Sequence, residues 1–336
     1  MIVVKALIGL GGVGMVMGIV LAIAYRRLKV KVDPREERIR EILPGANCGA
    51  CGHVNCDTFA HVVVAGEAEP NLCIPGGSEV TGKIGEILGL EVATKEKVIS
   101  CLNCQGSIEV APERYEYSGP RDCRSAYILL GGYKACTYGC LRMGHCVMVC
   151  PFDAIEMGED GLPNIDPRKC TGCGICVKEC PKQVLSLLPF EQKVYIGCSS
   201  HDRGKKVKDV CKVGCIGCGI CAKVCPFDAI EMVDNLPVYD YKKCISCGIC
   251  VHKCPTKAIV DRVKTRPYAI ISTKCDGCGE CVKVCQFKAI EGEEGKRHRV
   301  IKDKCIGCGM CFRVCPVDAI TMAGALGYEG YEKGIG

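Results

Sequence analysis

The order of apolar and polar positions divides the chain into an apolar start and a long remainder built around cysteine. Residues Ala6 to Ala24 are all apolar or glycine, a length that crosses a bilayer as a helix at ~1.5 Å per residue. Asp33-Pro34-Arg35-Glu36 has the N-cap, first-turn proline and early acid of a helix start, and Pro44-Gly45 ends that helix. After it, short apolar and acidic stretches alternate with groups of cysteine, which predicts small domains held together by metal.

The apolar run predicts a single membrane anchor over residues 1–26, with the rest of the chain on the cytoplasmic side of the cell (inner) membrane. Positive charge is concentrated after the run, and only Lys5 and the amino terminus precede it, which is the distribution that keeps the following chain in the cytoplasm. The basic residues concerned are Arg26, Arg27, Lys29 and Lys31. A removable signal peptide, cleaved after Ala24, is the alternative.

Cysteine is the most informative residue type in this sequence. The chain has 33 Cys among 336 residues and no Trp. A disulfide framework belongs to short secreted chains, so ligation of metal by thiolates in a reducing compartment explains this count better. The run Cys215-Ile-Gly-Cys218-Gly-Ile-Cys221, followed by Cys225-Pro226, is typical of ferredoxins with two 4Fe–4S clusters, in which three cysteines bind one cluster and the fourth binds the other. Zinc is the alternative, but zinc sites use separated pairs of cysteines.

One module of the chain is duplicated. Cys123, Cys136, Cys140, Cys146 and Cys150 recur 75 residues later as Cys198, Cys211, Cys215, Cys221 and Cys225. A repeat of this length and fidelity indicates duplication of one structural unit. The first copy has Met143 where the second has Cys218, so its cluster needs another thiolate, and Cys136 is the nearest candidate.

A third unit, from Cys275 to Cys315, keeps both cysteine runs. It carries Gln286 after Cys285, where the other runs have proline. Because proline is not a ligand, the cluster in this unit is expected to persist.

Spacing assigns seven 4Fe–4S clusters in total. The ligands are Cys48, Cys51, Cys56 and Cys73 for cluster 1; Cys136, Cys140, Cys146 and Cys180 for cluster 2; Cys150, Cys170, Cys173 and Cys176 for cluster 3; Cys215, Cys218, Cys221 and Cys254 for cluster 4; Cys225, Cys244, Cys247 and Cys250 for cluster 5; Cys275, Cys278, Cys281 and Cys315 for cluster 6; and Cys285, Cys305, Cys308 and Cys311 for cluster 7. No residue is assigned a catalytic role.

Five cysteines remain outside these sets: Cys101, Cys104, Cys123, Cys198 and Cys211. Each is explained as a buried structural thiol. The alternative is an eighth cluster on Cys104, Cys123, Cys198 and Cys211, which requires the two repeats to pack against each other.

These assignments give an α+β chain with an N-terminal transmembrane helix, a small iron–sulfur domain and tandem two-cluster ferredoxin domains. The predicted segments are a transmembrane anchor (1–26), a charged helical spacer (27–45), a single-cluster domain (46–80), a connecting segment with spare cysteines (81–135), ferredoxin unit I (136–190), a second connecting segment (191–214), ferredoxin unit II (215–262), ferredoxin unit III (263–320) and a flexible tail (321–336).

The order of these elements resembles the B subunit of the Rnf complex, a membrane-bound, ion-translocating ferredoxin:NAD+ oxidoreductase. The most specific part is Asn47-Cys48-Gly-Ala-Cys51-Gly with Cys56 and Cys73-Ile-Pro-Gly; Tyr115-x-Tyr-Ser-Gly-Pro-Arg-Asp-Cys123 and Tyr138-Gly-Cys140 agree with it. The resemblance implies a chain that takes electrons from soluble reduced ferredoxin and passes them to other membrane subunits and to subunits that bind flavin and NAD. Ferredoxin unit III and Met143 depart from the shortest members of that family.

Charge does not indicate a nucleic-acid partner. The formal net charge is +6, but each oxidised cluster with four thiolates carries about −2, so the loaded chain is acidic overall. No GxGxxG sequence follows a predicted strand, which argues against a nicotinamide or flavin site. Two other functions stay open. One is a polyferredoxin serving another acceptor, such as a redox sensor or nitrogenase, and the other is an enzyme with a catalytic cluster on the spare cysteines.

Soluble ferredoxins are typically acidic, so a docking site for one is expected to be basic. Two groups in the sequence are candidates, Arg203, Lys205, Lys206 and Lys208 in one and Lys296, Arg297 and Arg299 in the other. An ordinary solvated face is the alternative explanation for either group.

Overall fold

The computed structural model describes residues 2–28, 33–93, 96–264 and 266–323, with no side chains described for residues 2–10. The predicted tail lies outside these residues from position 324 onward. Contacts divide the chain into two compact units, Met1–Cys73 with Ser78–Ala93, and Ile74–Gly77 with Thr94–Gly336.

The first compact unit is helical. Its elements are α1 (Ile2–Leu28), α2 (Pro34–Ile42), α3 (Cys56–Val64), a 3₁₀ turn (Pro70–Leu72) and α4 (Gly77–Leu88). The predicted start of α2 is confirmed, because the Asp33 side chain accepts a hydrogen bond from the Arg35 N–H at 2.8 Å and Pro34 occupies the first turn. Ile39, Phe59 and Ile84, from three different helices, form its buried core.

The N-terminal helix α1 includes the predicted anchor. Its described side chains from Val13 to Ile23 are mostly exposed and apolar. Within the described ranges, no helix combines the length and the apolar character needed to cross a membrane. Residues 6–10 of the predicted anchor belong to the part of α1 whose side chains lie outside the described residues.

The second compact unit contains three ferredoxin units with the same strand arrangement. In each, a short antiparallel hairpin lies between a first and a last strand that pair with each other. The outer pairs are β1 (Val98–Leu102) with β4 (Leu185–Pro189), β5 (Val194–Ile196) with β8 (Ile259–Asp261), and β9 (Tyr268–Ile271) with β12 (Ile320–Ala323). The hairpins are β2 (Ile155–Met157) with β3 (Pro163–Ile165), β6 (Ile230–Val233) with β7 (Leu236–Tyr239), and β10 (Ile290–Glu291) with β11 (Arg299–Val300).

The helices of this unit are short. They are α5 (Cys123–Ile128), α6 (His145–Met148), α7 (Ile175–Glu179), α8 (Gly204–Val210), α9 (Ile220–Lys223), α10 (Ile249–Lys253), α11 (Glu280–Val284) and α12 (Met310–Val314), with one 3₁₀ turn at Lys302–Lys304. The α+β class and the tandem ferredoxin domains are thereby confirmed. The strand pairing also adds β1 and β5 to ferredoxin units I and II, although both strands come from segments predicted to be connections.

Each cysteine run is shaped by the same left-handed backbone positions. The residue two after the first cysteine has positive φ in all six runs, at Arg142, Gly172, Gly217, Ser246, Gly277 and Gly307. The residue three after the Cys-Pro or Cys-Gln cysteine also has positive φ in all six, at Asp153, Gln183, Asp228, Lys257, Lys288 and Asp318. These turns fold the run back on itself and direct backbone N–H groups toward the cysteine sulfurs.

Neighbouring ferredoxin units share buried side chains. Tyr195 and Val260 of ferredoxin unit II pack on the core of unit I, and Ile306 of unit III joins Phe227 and Ile249 of unit II in one core. Successive ferredoxin units therefore contact each other, and the core shared by units II and III includes the cysteines Cys225, Cys244, Cys247 and Cys308.

Candidate metal centres

Ferredoxin unit II shows the geometry of one complete ligand set. Cys215, Cys218, Cys221 and Cys254 line a single cavity, which we call the unit II cavity, with an empty space of about 340 Å³ that includes open solvent at its mouth. Three of these cysteines lie in the run that leads into α9, and the fourth lies before β8. The structure therefore brings together the four residues that spacing assigned to cluster 4.

The last cysteine of four of the runs lies in a repeated hydrogen-bonding arrangement. Its sulfur accepts the backbone N–H of the alanine four residues later, at 3.4 Å for Cys225, 3.3 Å for Cys254, 3.2 Å for Cys285 and 3.3 Å for Cys315. The distance at Cys285, which precedes Gln286, matches the others. Loss of the proline therefore leaves this turn unchanged.

Burial favours the protonated form of several of the cysteines. It raises the pKa of Cys221 to about 11 and the pKa of Cys146, Cys198, Cys247, Cys250 and Cys311 to about 12. Since iron is bound by thiolate, loading of these sites must release protons.

Ferredoxin unit I has its own cavity, the unit I cavity, and the cysteines that line it differ from the set that spacing assigned to cluster 2. Cys123, Cys140, Cys146 and Cys180 line this cavity, with about 390 Å³ of empty space, and Cys136 does not. Burial raises the pKa of Cys123, and the backbone N–H groups of His145 and Met143 oppose the rise by donating to its sulfur. Cys123 therefore lies at the loop position where ferredoxin unit II has Cys218.

Charged side chains fix Cys123 beside this loop. Asp122 caps α5 by accepting the Ser125 N–H at 2.9 Å, and its other oxygen lies 2.8 Å from Nδ1 of His145. Nε2 of His145 is 3.5 Å from Glu179, which also pairs with Arg124. Residues on both sides of Cys123 thus contact His145, at the start of α6, and Glu179, at the end of α7. The sequence held a signal that the assignment from spacing did not use. Ferredoxin unit I lacks a cysteine at Met143 and also has an unassigned cysteine, Cys123.

A third cavity, the interface cavity, lies between ferredoxin units I and II. Four cysteines line it, Cys104 and Cys136 from unit I and Cys198 and Cys211 from unit II, with about 380 Å³ of empty space. Its size is close to that of the unit I and unit II cavities. Relative to the eighth ligand set considered from the sequence, Cys136 takes the place of Cys123.

Most cysteines of the remaining ferredoxin ligand sets pack in or against buried cores, although Cys278 is exposed. In ferredoxin unit I, Ser100 donates its N–H to the Cys170 sulfur at 3.4 Å, and its hydroxyl lies 3.3 Å from the Cys176 sulfur. In unit II, the Tyr239 hydroxyl donates to Cys250 at 3.8 Å. The cysteines of unit III that pack in one core with Ile271 and Ile320 are Cys275, Cys281, Cys285, Cys305, Cys311 and Cys315.

The first compact unit carries the cysteines assigned to cluster 1. Cys51, Cys56 and Cys73 pack in or against the core that contains Phe59. The Asn47 side chain accepts the backbone N–H of Cys56 at 2.9 Å and so closes the ligand loop at the start of α3.

A single metal ion needs its ligand atoms around one point, whereas a 4Fe–4S cluster needs them farther apart. Within the described ranges, no group of three or more His, Cys, Asp or Glu side chains could hold one ion. The ligands of an iron–sulfur cube stand at its separate corners, so this finding does not test the cluster assignments.

Comparison with known proteins agrees with the cysteine geometry. Residues 135–184, 206–255, 236–286 and 268–322 match family models described as "4Fe-4S dicluster domain", and residues 43–75 match one described as "Putative Fe-S cluster". Three curated relatives are similar over most of their length. The B subunit of the Na(+)-translocating ferredoxin:NAD(+) oxidoreductase complex of Acetobacterium woodii is 49% identical over 70% of this chain and 70% of its own.

Two further relatives cover a similar share of this chain. The B subunit of the ion-translocating oxidoreductase complex of Methanosarcina acetivorans is 43% identical over 72% of this chain and 92% of its own. The B subunit of the proton-translocating ferredoxin:NAD(+) oxidoreductase complex of Clostridium ljungdahlii is 43% identical over 68% of this chain and 81% of its own. The chain belongs to this family of B subunits. The family is the one that the motifs around Cys48, Cys73 and Cys123 resembled, and that prediction is confirmed.

Proposed function

We propose that this B subunit is the iron–sulfur electron relay of an ion-translocating ferredoxin:NAD+ oxidoreductase complex, receiving electrons from reduced ferredoxin and delivering them to its other subunits. The observation that carries the proposal is the set of cysteine-lined cavities of similar size in a row of ferredoxin units, in a chain of this family. Bound 4Fe–4S clusters supply one-electron transfer. Hydride chemistry and ion translocation belong to partner subunits that bind flavin and NAD or span the membrane.

The residues of this chain hold and tune the clusters. We assign cluster 2 to Cys123, Cys140, Cys146 and Cys180 and retain the other six sets as spacing assigned them. Backbone N–H groups that donate to the sulfurs of Cys225, Cys254, Cys285 and Cys315 stabilise negative charge there, and hydrogen bonding and burial of this kind set cluster potentials.

We infer that α1 anchors this assembly at the inner membrane, with the cysteine domains on the cytoplasmic side. Support comes from the apolar run Ala6 to Ala24 and from Arg26 and Arg27 in the last turn of α1.

We infer that soluble ferredoxin docks on the basic face of α8. Arg203, Lys205, Lys206 and Lys208 are exposed there, and within the described ranges only Lys206 of the four takes part in an ion pair, with Asp202 at 2.6 Å. On the other candidate face, Lys296 pairs with Glu293 and Arg299 pairs with Glu291. The buried side of α8, at Val207, lines the interface cavity, so a ferredoxin bound to this helix lies near cysteine ligands.

The relay is tested with membranes that make NADH from reduced ferredoxin. Membranes without this chain are expected to lose that activity and to regain it when the chain is restored. Unchanged NADH formation without the chain contradicts the proposal.

Docking is tested by charge reversal. Lys205→Glu with Lys208→Glu is expected to lower the association rate of ferredoxin about 10-fold at low salt and to flatten its salt dependence, because steered association depends on complementary charge. Lys296→Glu is the matched control and is expected to leave both quantities unchanged. An effect confined to the control would assign docking to the other face.

A further inference from the structure

We propose that Cys104, Cys136, Cys198 and Cys211 bind a further 4Fe–4S cluster in the interface cavity, between ferredoxin units I and II. None of the matched ferredoxin motifs supplies this set, because its members come from four separate places in the chain. Cys104 follows β1, Cys136 precedes the first run, Cys198 follows β5 and Cys211 follows α8. The cavity that these residues line has about 380 Å³ of empty space, open solvent included, against about 340 Å³ for the unit II cavity with its complete ligand set.

The sulfurs in the interface cavity are surrounded by backbone donors. The Cys104 sulfur accepts the N–H of Gly106 at 3.4 Å and of Cys140 at 3.3 Å. The Cys198 sulfur accepts the N–H of Ser200 at 3.5 Å and of Cys215 at 3.3 Å. Backbone donors also lie beside the ligand sulfurs of the ferredoxin runs, at Cys225, Cys254, Cys285 and Cys315.

The other two sulfurs of the set have donors of the same kind. Backbone N–H groups of Tyr138 and Gly139 donate to the Cys136 sulfur, and the backbone N–H of Val213 donates to the Cys211 sulfur. Each of the four sulfurs thus has backbone donors beside it.

A buried cation lines the same cavity and is an independent indication of an anionic occupant. Lys134 is 1% exposed, and its ammonium donates to the carbonyl oxygen of Gly106 at 2.6 Å. A neutral carbonyl does not balance a buried positive charge, and lysines are almost never fully buried unless they are paired. A cluster with four thiolates carries net negative charge and supplies the missing partner.

The position of the site links the two ferredoxin units. The Cys104 sulfur is hydrogen-bonded to the backbone of Cys140, a residue of the unit I cavity, and the Cys198 sulfur is hydrogen-bonded to the backbone of Cys215, a residue of the unit II cavity. A single hydrogen bond therefore joins a ligand of this cluster to a cysteine of each neighbouring cavity.

The test is the metal content of the full chain, purified without oxygen and reconstituted with iron and sulfide. Cys104→Ala and Cys211→Ala are each expected to lower iron and acid-labile sulfide by about four per chain. The double variant is expected to lose no more than either single variant, because both cysteines serve one cluster. Cys101→Ala is the matched control, since Cys101 is also buried, at 1% exposure, and lines none of the three cavities.

Unchanged iron in Cys104→Ala and Cys211→Ala would overturn the proposal, as would an additive loss in the double variant or zinc in place of iron at the site. Because Cys211 lies in a short loop far along the chain from Cys104, equal losses from the two variants also exclude local misfolding of β1 as the cause. The electron-relay proposal is separate from this result, because it is tested by NADH formation.

Discussion

The most discriminating prediction for ferredoxin unit I is that a cysteine introduced at position 143 can replace Cys123 as a ligand of cluster 2. The loop around Met143 has the backbone conformation of the loop around Cys218. The residue before Met143, Arg142, has φ of 58° and the equivalent Gly217 has φ of 68°, while the glycines that follow, Gly144 and Gly219, have φ of 75° and 71°. A cysteine placed at position 143 should therefore direct its sulfur into the unit I cavity as Cys218 does in unit II.

The expected result is a loss and a rescue. Cys123→Ala removes one of four ligands and should lower the iron content by about four atoms per chain, from about 32 if eight clusters are present. Adding Met143→Cys to Cys123→Ala should restore those irons, because the run then reads as an ordinary ferredoxin run. The side chain lost at Met143 is only partly buried, beside Leu141 and Tyr133, so the packing cost is expected to be about 1 kcal/mol.

The assay is iron and sulfide content together with the EPR spectrum of the reduced protein. Cys136→Ala is the control that separates the two ligand assignments. It should also lose about four irons, from the interface cavity, and Met143→Cys should not restore them. If Met143→Cys rescues Cys136→Ala and fails to rescue Cys123→Ala, then Cys136 completes cluster 2 and the reasoning from the cavities is refuted.

Three further outcomes follow from particular contacts. Gly172→Ala should destabilise ferredoxin unit I by about 2 kcal/mol or more, because Gly172 has φ of 75° and a Cβ there would collide with the Val98 carbonyl oxygen. Gly279→Ala should cost only about 1 kcal/mol, because Gly279 has φ of 78° but open space at the Cβ position. Rates of cluster loss on heating compare the two variants, and equal rates contradict the steric argument. Gln286→Pro should leave iron content unchanged, and loss of iron would show that glutamine at this position has a ligand-related role. A chain lacking residues 1–26 should be soluble and keep its iron, and tight membrane attachment without other subunits would contradict the anchor.

Cysteine spacing along the chain was enough to predict the turns of the ferredoxin runs. A run of three cysteines fixes its own turn through left-handed positions that recur at the same spacing, and the four cysteines predicted for cluster 4, Cys215, Cys218, Cys221 and Cys254, line one cavity. The outer strand pairs were missed for the opposite reason. Val98 pairs with Pro189 and Val194 with Asp261, and these partners are far apart in the chain, with no turn between them to set the register.

The proposed replacement of Cys136 by Cys123 in cluster 2 rests on tertiary contacts, whereas the assignment from spacing rests on distance along the sequence. Cys136 is closer to Cys140 along the chain, but α5 returns Cys123 to the 143–145 loop through the contact between Asp122 and His145. Asp122 lies outside the ferredoxin runs, so spacing within a run does not indicate this contact. The proposed assignment rests on the position of α5.

The duplication itself explains why two equivalent cysteines serve different sites. In ferredoxin unit II, Cys218 occupies the middle of the run, so Cys198 is not needed there and its sulfur faces the interface cavity instead. In unit I, the middle of the run has Met143 and no thiol. Cys123, the counterpart of Cys198, lines the unit I cavity in its place. The interface cavity then has three cysteines from the repeated positions, and Cys104 is the fourth. Loss of one thiol in the first copy thus accounts for the asymmetric ligand set at the contact between two otherwise similar units.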